Sequence, residues 1–304
     1  MKALRASVAA LVILSLAAFI YFSKTSNFQS QIKKYIPKED IPKLYAYPVK
    51  NENFTDAPPI TSKAAVILDA KTGVTLFERN PNARQLPAST TKLMTALVAL
   101  EKCTSDQTIT VRAYEHEPTQ MGLTSGDVVT AKALLYGLLI NSGNDAASVL
   151  SYSCAPTTEQ FVEEMNQKAQ EIEMKNSHFT NPEGFDDPMQ YSTAKDLAKL
   201  ARVAVANPLI SKIVSTKSTV VTDVFQTKTY YLENINKLLG EVEGVEGIKT
   251  GQTVLAQEIL ITKTTRNGNT VIIVILGSLD RFKESKDLIE WTFANHHWVS
   301  PPTT

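Results

Sequence analysis

The sequence has no excess of charge of either sign. Lysine plus arginine and aspartate plus glutamate balance at 31 each over 304 residues, so no basic field gathers nucleic acid and no acidic tail is present. A nucleic-acid partner and a polyanionic substrate are therefore not expected. Histidine is scarce: there are four, two of them adjacent at His296 and His297, and none has the His-x-x-x-His spacing with a nearby carboxylate that holds a catalytic metal. The expectation is a protein without metal or other cofactor. Internal repeats and low-complexity tracts are also missing, and the length is too short for several ordinary domains.

What is present begins with a basic N-terminus, Met1-Lys2-Ala3-Leu4-Arg5, leading into an apolar run from Ala6 to Phe22 broken only by two serines. That length approaches one bilayer crossing and predicts export. The run ends in bulky residues, Phe19-Ile20-Tyr21-Phe22, where a cleavage site needs small ones, which favours an uncleaved anchor over residues 1–23; a cleaved signal peptide, giving a secreted protein, is the other reading. Residues 24–60, with Ile36-Pro37, Ile41-Pro42, Tyr47-Pro48 and Pro58-Pro59, read as an extracytoplasmic linker. The folded domain is expected over 61–298, with a short tail over 299–304 and no room for a second C-terminal domain.

Within that domain, Ala64–Asp69 and Val74–Glu78 flank Gly73 as a hairpin. Helical spacing follows from Ser89 to Cys103, then over 131–151, 159–173 and 194–206. Strands return at 218–222, 228–232, 258–265 and 271–276, and a closing helix runs over 282–296. Strands at both ends of a helical middle predict one sheet assembled from distant segments, with an all-helical subdomain inserted between them.

Three short motifs carry the chemistry. In Pro87-Ala88-Ser89-Thr90-Thr91-Lys92, residues three apart at a helix start face the same way, and a desolvated lysine loses its proton readily enough to activate a serine. Ser-x-x-Lys alone is weak evidence, since Ser30–Lys33 and Ser192–Lys195 also match. The first of these lies in the linker, and the second reads as a helix start capped by Ser192 or Thr193. Ser142-Gly143-Asn144 places a hydroxyl and an amide on a turn, where they can relay a proton and hold a substrate amide, or simply cap the next helix. Lys249-Thr250-Gly251 offers a cation and a hydroxyl for a substrate carboxylate on an exposed strand edge, with glycine admitting a peptide backbone. Its decoy, Lys71-Thr72-Gly73, needs only a turn.

Serine-lysine, serine-asparagine and lysine-threonine-glycine, in that order, are the signature of penicillin-recognising serine enzymes. Together with Phe179-Thr180-Asn181-Pro182-Glu183-Gly184 and Gly247-Ile248-Lys249-Thr250-Gly251, they make the chain resemble the D-alanyl-D-alanine carboxypeptidases, the low-molecular-mass penicillin-binding proteins, from about Ser62 to Trp298. The resemblance implies an α/β fold of the β-lactamase/transpeptidase-like kind, an antiparallel sheet flanked by helices with an inserted all-helical subdomain. It implies Ser89 as nucleophile, Lys92 as its base and Ser142 as proton relay. Asn144 and Lys249 would orient substrate, and Thr250, with Gly251 beside it, would hold the terminal carboxylate. Backbone N–H groups of Ser89 and Gln252 would form the oxyanion hole, and Arg281 would help bind the carboxylate unless it is a surface cap or salt bridge. The expected partners are peptidoglycan stem peptides ending in D-Ala-D-Ala, β-lactams as covalent inhibitors, and the membrane through residues 6–22. An endopeptidase acting on cross-linked peptides would use the same residues, and a non-catalytic wall-binding module would keep the same groove.

The resemblance is incomplete at Gln257, which stands where the family has glycine and is expected at the groove floor. The N-terminal run would replace the family's C-terminal anchor. Cys103 and Cys154 each end a predicted helix in a compartment where disulfides persist, which predicts a bridge, the other reading being two buried thiols.

Overall fold

A computed structural model describes residues 45–112 and 120–301. The elements in chain order are β1 (Tyr47–Lys50), β2 (Ala64–Asp69), β3 (Thr75–Arg79), a 3-10 turn (Ala88–Thr91), α1 (Lys92–Lys102), β4 (Thr108–Thr110), β5 (Val128–Thr130), α2 (Ala131–Leu139), α3 (Asn144–Cys154), α4 (Thr158–Glu171), α5 (Ala194–Ala206), α6 (Pro208–Val214), β6 (Ser218–Thr222), β7 (Thr229–Glu233), β8 (Val245–Thr253), β9 (Gln257–Arg266), β10 (Asn269–Ser278), α7 (Arg281–Asn295) and β11 (His296–Val299).

The main sheet runs β3-β2-β10-β9-β8, antiparallel throughout. Its strands come from the two ends of the sequence, with the helical stretch between them, as the pattern of elements predicted. Because helices cover both faces, the central strands are apolar without alternation. Ile272, Val274 and Leu276 of β10 face α1–α6 with Val66 of β2. Val271, Ile273 and Ile275 face the other way, with Ile67 of β2 and Leu288 and Trp291 of α7. The helix starts are capped as their sequences suggest: Thr130, Thr157 and Thr193 accept from Ala133, Gln160 and Asp196 N–H groups. Cys103, just past α1, and Cys154, the last residue of α3, form a disulfide.

Four sequence readings change. Residues 24–60 are not all linker, because β1 pairs with β11, Tyr47 opposite Val299 and Lys50 opposite His296. Phe54 packs edge-on against Trp291, and Trp291 Nε1 donates to Thr55 O at 2.9 Å; the folded part therefore starts at Tyr45. The closing helix stops at Asn295 and becomes a strand, so Val299 belongs to β11 and not to a tail. The helical stretch over 131–151 is two helices, broken at Ser142, whose φ is +57°. Residues 245–253, left out of the expected strands although Lys249-Thr250-Gly251 was placed at a strand edge, form a strand themselves. The apolar run at 6–22 and the Ser30–Lys33 match lie outside the described residues. Among the described residues, no helix is long and apolar enough to cross a membrane.

Candidate active site

Ser89 lies in the 3-10 turn and Lys92 opens α1. The lysine side chain is fully buried. Its Nζ stands 3.0 Å from Ser89 Oγ and donates to Asn144 Oδ1 and to Glu183 O, each at 2.6 Å. Burial pulls its pKa down to about 7, against the opposing pull of Glu183 and Asp145. Near neutral pH much of Lys92 is therefore an amine able to accept the serine proton.

The second pair joins Ser142 to Lys249. The αL backbone at Ser142 turns its hydroxyl towards β8, where Lys249 Nζ donates to Ser142 Oγ at 2.8 Å and to Thr250 O at 3.0 Å. Burial, then the nearby charges of Lys92 and Arg281, hold Lys249 well below the usual lysine range. The capping role open to Ser142 and Asn144 is not taken: Gly143 is the N-cap of α3 and no side chain caps it.

β8 has β9 on one side and is the free edge of the sheet on the other. Gly251 brings that edge against Ser89. A Cβ there would lie 3.2 Å from Ala88 Cβ and 3.3 Å from Ser89 N. Gly184 is tighter still: its φ is +90° and a Cβ would fall 2.0 Å from Ala88 O, so only glycine lets the 181–184 turn press on the backbone before Ser89. A cavity of about 230 Å³ results, lined by Ser89, Ser142, Ile235, Thr250, Gly251, Gln252 and Arg281. Arg281 is 7% exposed, so it is no surface group, and the cap of α7 is Asp280. Arg281 Nη1 donates to Gly251 O at 2.8 Å, and its backbone N–H to Glu258 Oε2 at 2.9 Å.

The decoys fall elsewhere. Ser192 is buried and hydrogen-bonds Ser177, and Thr193 caps α5. Thr72 donates through both N–H and Oγ1 to Asp69 Oδ1, making the turn that Gly73 completes. Gln257 is not at the groove floor, where Gly251 lies. It sits opposite Thr253 at the β8–β9 turn, with φ +60°. A wider depression of about 410 Å³ between α2 and β6 contains no serine–lysine pair.

Three residues near the site were given no role by the sequence. Ile235 contributes an aliphatic wall to the cavity. Asp145 accepts from the N–H groups of Met121, Gly122 and Leu123 and pins that segment to α3. Glu183 touches Lys92 through its carbonyl and Ser148 through its carboxylate. Glu183 fell within a run already singled out, but nothing in the spacing distinguished its side chain. Among the described residues, no group of three or more metal-ligating side chains occurs.

A family model described as D-alanyl-D-alanine carboxypeptidase, Peptidase_S11, matches residues 51–279. The D-alanyl-D-alanine carboxypeptidase DacF of Bacillus subtilis is 32% identical over 245 residues, covering 77% of this chain and 63% of its own length. The D-alanyl-D-alanine carboxypeptidase of Streptomyces sp. strain K15 is 32% identical over 258 residues, covering 78% of this chain and 89% of its own. Among solved structures, the Streptomyces K15 DD-transpeptidase superposes with a TM-score of 0.73 at 30% identity, over 79% of this chain and all of that one. A penicillin-binding protein homologue from Mycobacterium tuberculosis gives 0.76 at 28% identity, over 84% and 100%. The fold is thus the β-lactamase/transpeptidase-like one that the motifs implied. A serine–lysine pair against the free edge of such a sheet, matched over well over half the chain, places the sequence: it belongs to the Peptidase_S11 family of D-alanyl-D-alanine carboxypeptidases.

Proposed function

We propose that this chain removes the terminal D-Ala from peptidoglycan stem peptides ending in D-Ala-D-Ala, through an acyl-enzyme on Ser89. The observation that carries the reading is the meeting of Ser89 with a buried Lys92 beside the Ser142–Lys249 pair at one cleft. The peptide lies along the free edge of β8, its carboxylate at Thr250 and Arg281 and its amide held by Asn144. Lys92 takes the Ser89 proton as Oγ attacks the penultimate D-Ala carbonyl. The backbone N–H groups of Ser89 and Gln252 hold the oxyanion. Ser142 relays a proton to the departing D-Ala amine, and water then releases the shortened peptide. Residues 6–22 anchor the chain on the extracytoplasmic face of the membrane, and β-lactams acylate Ser89. The carboxypeptidase names of the relatives and the length and apolarity of the N-terminal run support these assignments.

The test incubates the full chain with a fluorescent penicillin and, separately, with a D-Ala-D-Ala peptide while free D-Ala is measured. Labelling that Ser89→Ala abolishes and Ser192→Ala leaves intact is expected, together with D-Ala release. An unlabelled wild type refutes the reading. A second reading has one observation in its favour: the Streptomyces K15 structure is described as a DD-transpeptidase. In that reaction the same acyl-enzyme passes to an amine, and a cross-linked product on adding an acceptor amine would identify it.

A further inference from the structure

We infer that Glu183 is a positioning residue for the base: its turn holds Lys92 against Ser89, and its buried carboxylate supplies a counter-charge to the lysine. Three contacts support this. Glu183 O accepts from Lys92 Nζ at 2.6 Å. Its Oε1 accepts from Ser148 Oγ at 2.6 Å, which ties it to α3 one turn beyond Asn144, itself a partner of Lys92. Next in sequence, Gly184 presses on Ala88, the residue before the nucleophile. The Asn181 side chain closes the turn by accepting from the N–H groups of Gly184 and Phe185. The turn thus contacts the base, the helix that begins at Asn144 and the nucleophile's backbone at once.

Charge gives the carboxylate its purpose. Two lysines and an arginine share this buried region: Lys92, Lys249 from β8 and Arg281 from α7. The anions facing Lys92 are Glu183 and, from α3, Asp145. Asp145 is engaged by four backbone N–H groups, those of residues 121–123 and Ala146. Glu183 is 8% exposed and screened from water. Without its charge, burial and the neighbouring cations would drive Lys92 further down. The lysine would then be neutral over a wider pH range but a weaker base. No new bond is involved; the proton moves from Ser89 Oγ to Lys92 Nζ as in the reaction above.

Glu183→Gln removes the charge and keeps an oxygen for Ser148. The direct measurement is the 13Cε titration of Lys92 by NMR in the full chain, which requires no turnover. The midpoint is expected to fall by roughly one pH unit in Glu183→Gln and to stay near wild type in Glu183→Asp. The acid limb of β-lactam acylation should move to lower pH by the same amount, with a lower plateau. An unmoved Lys92 midpoint in Glu183→Gln overturns the inference, as does equal loss of acylation at every pH in both variants. The kinetic arm rests on the serine-peptidase reading. A wild type that penicillin never labels would refute that reading, while the Lys92 titration would still decide this one.

Discussion

Residue identity alone could not single out Ser89 as the proposed nucleophile, because three serines precede lysine at the same spacing. What separates Ser89 from Ser192 is that its lysine is buried beside it, whereas Ser192 bonds another serine. The motif order anticipated that outcome, but the pairing of Ser142 with Lys249, 107 residues apart, is a fact of folding. Ile235 was illegible for the same reason, reaching the cleft through long-range packing, and Glu183, though within a quoted run, meets Lys92 only through the fold. Gln257 shows the opposite case, a visible departure with a modest cost. A side chain at φ +60° costs about 1 kcal/mol, partly offset by the flexibility glycine adds to the unfolded chain. Gln257→Gly should therefore stabilise the protein by no more than about 0.5 kcal/mol in urea unfolding, with the acylation rate unchanged. Slower acylation would mean that the turn does shape the groove.

Elements with strong periodicity were readable and elements built for the site were not. β2 and β10 announce themselves through β-branched runs, and α5 through its cap and apolar stripe. β8 reads Val-Glu-Gly-Ile-Lys-Thr-Gly-Gln-Thr, with two glycines and a lysine where a strand of ordinary purpose would be apolar. Its residues serve the cleft, and β9 supplies the pairing. The turn at Ser142-Gly143-Asn144 was legible, but not that the positive φ of Ser142 would aim its hydroxyl at Lys249 of β8. The disulfide acts at this scale too, tying the end of α1, which carries Lys92, to the end of α3, which carries Asn144. A loop closed across a sequence separation of 51 restricts the unfolded chain by about 4 kcal/mol in the loop-entropy account, with engineered cases often delivering less. Reduction, or the Cys103→Ala/Cys154→Ala pair, should lower unfolding stability by about 2–4 kcal/mol. Denaturant titration with and without reductant checks this, and coincident curves would contradict it.

At the scale of the whole molecule, the sequence placed the start of the domain too late. Tyr47-Pro48-Val49-Lys50 and His296-His297-Trp298-Val299 are short and carry proline or histidine, so neither looks like a strand until the other is beside it. Together they hold an aromatic cluster of Phe54, Trp291 and His296, and Trp298 Nε1 donates to Asp69 Oδ2 at 2.8 Å. A chain beginning at residue 61 should consequently be about 1–3 kcal/mol less stable than one beginning at residue 45, from the loss of the partly buried Phe54 and its strand. Matched thermal and urea unfolding of the two lengths measures the difference; equal midpoints would show that β1 adds nothing. The same pairing has a topological meaning. Since the first strand of the described fold lies beside the last, the polypeptide path closes almost into a ring, and the cleft at the β8 edge belongs to the ring and not to either end. Joining residue 301 to residue 45 through a few glycines and reopening the backbone at an exposed turn would give a circular permutant with its three motifs in a new order along the chain and the same arrangement in space.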